Sequence, residues 1–140
     1  MLGIFVAVAA ALLYLVEEEG QGQLENLDPA VVSITGIKMV PAYADSFRAT
    51  GTIVNHSEDH DITELSIRFS VNDCDSAEAD ANCTTLSQVV EPVRLHVPAA
   101  GSAGFEESVS PRRVKVSGVR RWTFKVTEVK GRVPLRRRDE

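Results

Sequence analysis

The chain has 140 residues, 44% of them hydrophobic and 25% charged, with a net charge of −5. That acidic balance, with no base-stacking motif beside it, argues against a nucleic-acid partner. Two cysteines and about 120 residues beyond the first apolar stretch leave room for one domain with one core.

The chain opens with the uncharged run MLGIFVAVAAALLYLV, followed at once by Glu17, Glu18 and Glu19. As a helix, Leu2 to Val16 would be about 22 Å long at about 1.5 Å per residue, short against a hydrocarbon core of about 30 Å. A cleaved signal peptide would need a basic start and a small-residue site after the apolar core. No Lys or Arg precedes Lys38, and the alanines sit inside the run. A buried core helix would be apolar on one stripe, whereas this run is apolar on every face. The preferred reading is a transmembrane anchor over residues 1–19, accommodated by local thinning or by packing beside other membrane helices. Tyr14 then takes an interfacial ring position, and Leu12 and Tyr14 become contacts for a membrane partner.

Residues 20–30 read as a polar linker, because Gly20, Gly22 and Pro29 discourage a continued helix. Strands are expected from Val31 onward. Residues 31–40 are rich in β-branched side chains and end at Pro41; 46–55 follow a turn at Ala44 and Asp45. In 62–72, Leu65, Ile67, Phe69 and Val71 alternate with Ser66, Arg68, Ser70 and Asn72, the period of a sheet with one wet face. Residues 86–97 repeat the pattern, with Val89, Val93, Leu95 and Val97 against Gln88, Arg94 and His96, and Pro92 marks an edge strand or a bulge. Ala103, Phe105 and Val109 alternate over 103–109, and Trp122, Phe124 and Val126 over 119–129. Six or seven short strands with no amphipathic helix among them predict an all-β sandwich over 31–130, with a basic tail at 131–140.

Cys74 and Cys83 flank a polar stretch of eight residues. They are expected to form a disulfide closing a surface loop, worth about 2–3 kcal/mol in the chain-entropy model, in an oxidising compartment. Free thiols or a metal pair are the alternatives, and two Cys without further soft ligands make a poor zinc site. Charge is divided along the chain: residues 1–111 hold 4 Lys or Arg and 17 Asp or Glu, residues 112–140 hold 11 and 3. The basic end reads as a solvated strand face, or as a contact for an acidic partner or anionic headgroups through Arg136, Arg137 and Arg138.

Phe69-Ser70-Val71-Asn72-Asp73 resembles the FxLYD pattern, with Val for its Leu and Asn for its Tyr. Gly51 to Asn55 is similar to the strand preceding that motif. The Pro98–Gly104 turn with Phe105, and Arg121 to Phe124, are similar to its later segments in uncharacterised alphaproteobacterial relatives. Over residues 31–130 the resemblance implies an immunoglobulin-like β-sandwich tethered to the bacterial envelope, and it brings no catalytic residues.

His56 and His60, with Glu58, Asp59 and Asp61, invite a metal reading, but His at i and i+4 share a face only on a helix, and a solvated turn is expected. His96 is expected to be simply exposed on its strand. Asp73, Asp75, Glu78 and Asp80 crowd the cysteine loop without the glycine and terminal Glu of a helix–loop–helix calcium site. Asn55 and Asp73 are expected to accept from backbone N–H groups two residues on. Trp122 and Phe124 alternate with polar residues and are expected in the core rather than on a ligand-stacking surface. No nucleophile elbow, phosphate loop or paired zinc motif is present. The expectation is a non-enzymatic accessory module without cofactor or metal, single-pass in a bacterial inner membrane with its domain in the periplasm, docking on a larger membrane complex. The alternative is a stand-alone periplasmic protein binding an ion, small ligand or envelope component through loops 56–61 and 73–83.

Overall fold

In the alternating stretch around Phe69, the side chains of Leu65, Ile67, Phe69 and Val71 are buried and Ser66 and Arg68 are not. The computed structural model describes residues 22–134. The strands are β1 (Glu25–Leu27), β2 (Val32–Pro41), β3 (Phe47–Asn55), β4 (Asp61–Cys74), β5 (Cys83–Val97), β6 (Ser102–Val109) and β7 (Val119–Arg132). A single 3-10 turn, Pro29–Val31, separates β1 from β2; the Asp28 side chain caps it by accepting from the Ala30 N–H at 2.9 Å.

The strands form two antiparallel sheets, one ordered β1-β7-β4-β5 and the other β2-β3-β6. Ile53, Ile62, Leu65, Ile67, Phe69, Val93, Val97, Phe105, Val109 and Val129 fill one core between them. Phe69 meets Phe124 edge to face, with centroids 5.5 Å apart and planes at 87°. Pro92 lies on β5, the outer strand of its sheet, where a missing N–H is tolerated.

Bulges let long strands keep their apolar side inward. Against β7, β4 carries one extra residue at Thr63, so Ile62 and Leu65 both reach the core despite their odd spacing. Thr127 is the extra residue of β7 and does the same for Val126 and Val129. In β2 the register shifts between Thr35 and Lys38, and Gly36 there has a φ of 63°, a conformation glycine adopts without a Cβ clash.

Several expectations need correction. Residues 20–30 are not only linker: Glu25–Leu27 pair with Val129–Gly131 and extend the larger sheet. The basic tail begins later than residue 131, since β7 runs to Arg132. The second long strand starts at Cys83 rather than at 86, because its pairing with β4 continues to the Cys74–Cys83 pair. Ser70 and Asn72, expected on a wet face, are buried. The Asn72 Nδ2 donates to the Arg121 carbonyl and the Thr123 Oγ1, both at 3.1 Å, and its Oδ1 accepts from Thr85 Oγ1 at 2.7 Å. Trp122 and Phe124 pack against the core but are only partly covered. No helix among the described residues is long and apolar enough to cross a membrane; the anchor expected at 1–19 lies outside them.

The strand directions give the body two distinct ends. At one end the described chain enters and leaves: Gly22 lies so close to β7's exit that a Cβ on it would fall 2.7 Å from the Val133 carbonyl oxygen. The β3–β4 and β5–β6 loops share this base. The β2–β3 turn, the disulfide loop and the 110–118 segment occupy the far end.

Candidate functional site

At the far end, the β2–β3 turn closes through the Ala42 N–H to the Ser46 carbonyl at 2.9 Å and the Ser46 N–H to the Tyr43 carbonyl at 3.3 Å. This leaves the Tyr43 side chain at the tip, 93% exposed. Residues 110–118 cross from one sheet to the other, and Asp73 fastens their last residues. Its carboxylate accepts from the Ser117 N–H at 3.1 Å and the Gly118 N–H at 2.9 Å. Asp73, expected to serve its own turn, holds instead a segment more than forty residues away.

Between this crossing segment and the β2–β3 turn lies a cavity of 330 Å³. Pro41, Phe47, Val71, Pro111 and Trp122 supply apolar wall; Arg112, Arg113 and Arg120 supply positive charge, against the single carboxylate of Asp45. Phe47 and Trp122 meet edge to face at 5.0 Å, and the Arg120 guanidinium sits 5.5 Å from the Phe47 ring centroid. Arg113 pairs with Asp45 at 3.4 Å, and Arg112 makes no ion pair with a described residue. Among the lining residues, the one hydroxyl, on Ser46, donates to the Tyr43 carbonyl at 2.6 Å. Guanidinium groups set beside an apolar wall suit an anionic group carried on an apolar body.

The Cys74–Cys83 disulfide is formed, with Cα atoms 4.1 Å apart. The loop it closes is also held by the Asp75 N–H to the Asn82 carbonyl at 3.0 Å. Arg121 of β7 donates to the Glu78 carbonyl at 2.5 Å and so ties the loop to the sheet.

At the base, His56 and His60 do not converge. His56 Nε2 meets Ser33 Oγ at 2.8 Å, while His60 lies between Asp59, 2.7 Å from Nδ1, and Glu25, 2.5 Å from Nε2. The hydrogen bonds to Asp59 and Glu25 raise the His60 pKa against a smaller opposing effect of burial. Asp59 is lowered by the hydrogen bonds from His60 and Ser57. His96, expected merely exposed, contacts Asp61 at 3.1 Å. Burial works against ionisation of Asp61, but the His96 contact and the Ala99 N–H bring its pKa down on balance. No group of three or more His, Cys, Asp or Glu among the described residues is arranged to hold a metal ion.

Asn55 behaves as read: its Oδ1 accepts from the Ser57 N–H, two residues on, at 3.0 Å. Its Nδ2 also reaches the carbonyls of His60, Val97 and Pro98, joining both base loops to the end of β3.

Loops 56–61 and 73–83 therefore lie at opposite ends of β4, about 40 Å apart at about 3.3 Å per residue, and cannot form one site. Leu12, Tyr14, Arg136, Arg137 and Arg138 lie outside the described residues. The cavity has no local signature in the sequence; Arg112, Arg113 and Arg120, which open the basic part of the chain, are its nearest signal. No protein-family model, no curated protein and no solved structure matches the chain.

Proposed function

We propose that the chain is a non-enzymatic interaction module with an immunoglobulin-like sandwich, held at a bacterial inner membrane by residues 1–19 and displayed on the periplasmic side. The apolar leader is the source of the membrane assignment. The Cys74–Cys83 disulfide supports an oxidising compartment. Four- and three-stranded antiparallel sheets, with sequence-distant strands as neighbours, support the immunoglobulin-like assignment, as does the likeness of Phe69–Asp73 to the FxLYD pattern.

The observation that carries the reading is the polarity of the body. The chain enters at Gly22 and leaves beside it at Val133, while exposed Tyr43 and the arginine-lined cavity sit at the opposite end. A leader anchored in lipid would hold the base toward the bilayer and present the far end outward. Such a module docks on a membrane complex and contributes recognition, not chemistry.

Extraction of native membranes in mild detergent, followed by native mass measurement, tests this. Co-migration with a larger membrane assembly is expected. Recovery in the soluble fraction, or migration as a lone chain, would overturn the docking role.

The cavity favours a second reading, a stand-alone envelope protein that binds a small anionic ligand with an apolar body. Under it, the isolated protein would gain melting temperature with an aromatic carboxylate, and Arg112→Ala with Arg120→Ala would abolish the gain.

A further inference from the structure

β7 lies inside the order of its sheet, yet among the described residues one of its edges is mostly unpaired. β4 pairs with it from Val119 to Arg132, whereas β1 covers only Val129, Lys130 and Gly131 on the other side. From Val119 to Glu128 no described strand takes up the outer backbone groups. The consequence reaches the core. Trp122, Phe124 and Val126 of β7, and Ile37 and Met39 of β2 in the facing sheet, pack against the core but stay partly uncovered.

We infer that this edge accepts an extended partner segment in which apolar and acidic residues alternate. The proposal names the partner chemistry of the interaction module above and rests on that reading for its context. An added strand takes its affinity from backbone hydrogen bonds and its specificity from alternate side chains. Its inward residues would cover the exposed flanks of Trp122, Phe124 and Val126.

Its outward residues would lie beside Arg121 and Lys125. On that face Lys125 stands directly across from Arg68 of β4, a like-charge register pair. Neither makes an ion pair with a described residue, although such a pairing is unfavourable on neighbouring strands. An acidic residue on the added strand would relieve it. Within 112–132 there are Arg112, Arg113, Lys115, Arg120, Arg121, Lys125, Lys130 and Arg132 against Glu128 alone. The same charges set two copies of β7 against each other, so a second copy is disfavoured as the occupant while an acidic strand is drawn in.

The test is amide hydrogen exchange on the full chain in detergent micelles, with a synthetic peptide of alternating valine and glutamate as the probe. In the free chain, outward-facing amides between Val119 and Glu128 should exchange quickly, and saturating peptide should slow them. A valine–lysine peptide should leave them unchanged. Lys125→Glu, a solvent-facing change, should weaken the glutamate peptide several-fold and admit the lysine peptide. Three results would overturn the proposal: no slowing with the glutamate peptide, equal slowing with both peptides, or slow exchange in the chain alone, which would mean that its own termini or a second copy already cover the edge. None of these results bears on whether the chain co-migrates with a membrane assembly, so the two readings fail separately.

Discussion

Glu25 on β1 and His60 in the β3–β4 loop are joined at 2.5 Å, across 35 positions of sequence. This contact, with the pairing of Glu25–Leu27 to β7, fastens the first described strand to the base of the sandwich. His60 is shared with Asp59, so its imidazole bridges two carboxylates, as an ion pair with both when protonated.

That bridge gives the base a pH dependence. The His60 pKa is raised above 6.5 by Asp59 and Glu25. A group that binds its proton more tightly when folded adds stability in full below its unfolded pKa and loses it as pH rises through the folded one. Melting temperature should therefore fall as pH rises above 6.5, and the difference from His60→Gln should vanish at the alkaline end. Equal pH profiles for both proteins would show that the bridge contributes nothing.

Glu107 has the same sign of pH dependence from a different cause. It lies on the inward side of β6, and burial, then the charge of Glu91, push its pKa above 4.5. The folded state holds this proton more tightly than the unfolded chain, so stability drops as pH climbs from 4.5 through the raised value. Glu107→Gln should melt higher than the parent at neutral pH and lose that advantage in acid. Thermal scans of the two proteins across that range decide it.

Phe69 is fully buried against Phe124. Phe69→Ala should cost about 3–5 kcal/mol in urea unfolding, from lost burial and the cavity left behind. A cost below about 0.5 kcal/mol, the range of a surface change, would contradict its place in the core.

Reduction of the Cys74–Cys83 bond should lower stability by about 2–3 kcal/mol while leaving the two sheets folded. Alkylation without reductant, read by mass spectrometry, should find no free thiol.

Much of the fold was legible because alternation is a local signal. Leu65, Ile67, Phe69 and Val71 declare their shared face within a few residues, and burial follows. Pro92 likewise marks an edge by its missing N–H. β1 was not legible: Glu25, Asn26 and Leu27 are too few to show a period, and they are a strand only because Val129–Gly131 lie beside them. Ser70 and Asn72 looked wet because the sequence does not show Thr85 and Thr123 closing over the Asn72 amide. The bulges at Thr63 and Thr127 were hidden for a similar reason, since a bulge exists only relative to a partner strand.

By itself, the order of residues determined the apolar leader, the run of strands and the split between an acidic body and a basic end, because each is carried by neighbours along the chain. Only the tertiary structure decided which loops share an end, that Asp73 holds the 110–118 segment, and that Phe47, Trp122 and three arginines enclose one cavity. It also decided that no described strand pairs with β7's outer edge from Val119 to Glu128, since whether a strand's outer backbone groups find partners depends on residues far away in sequence.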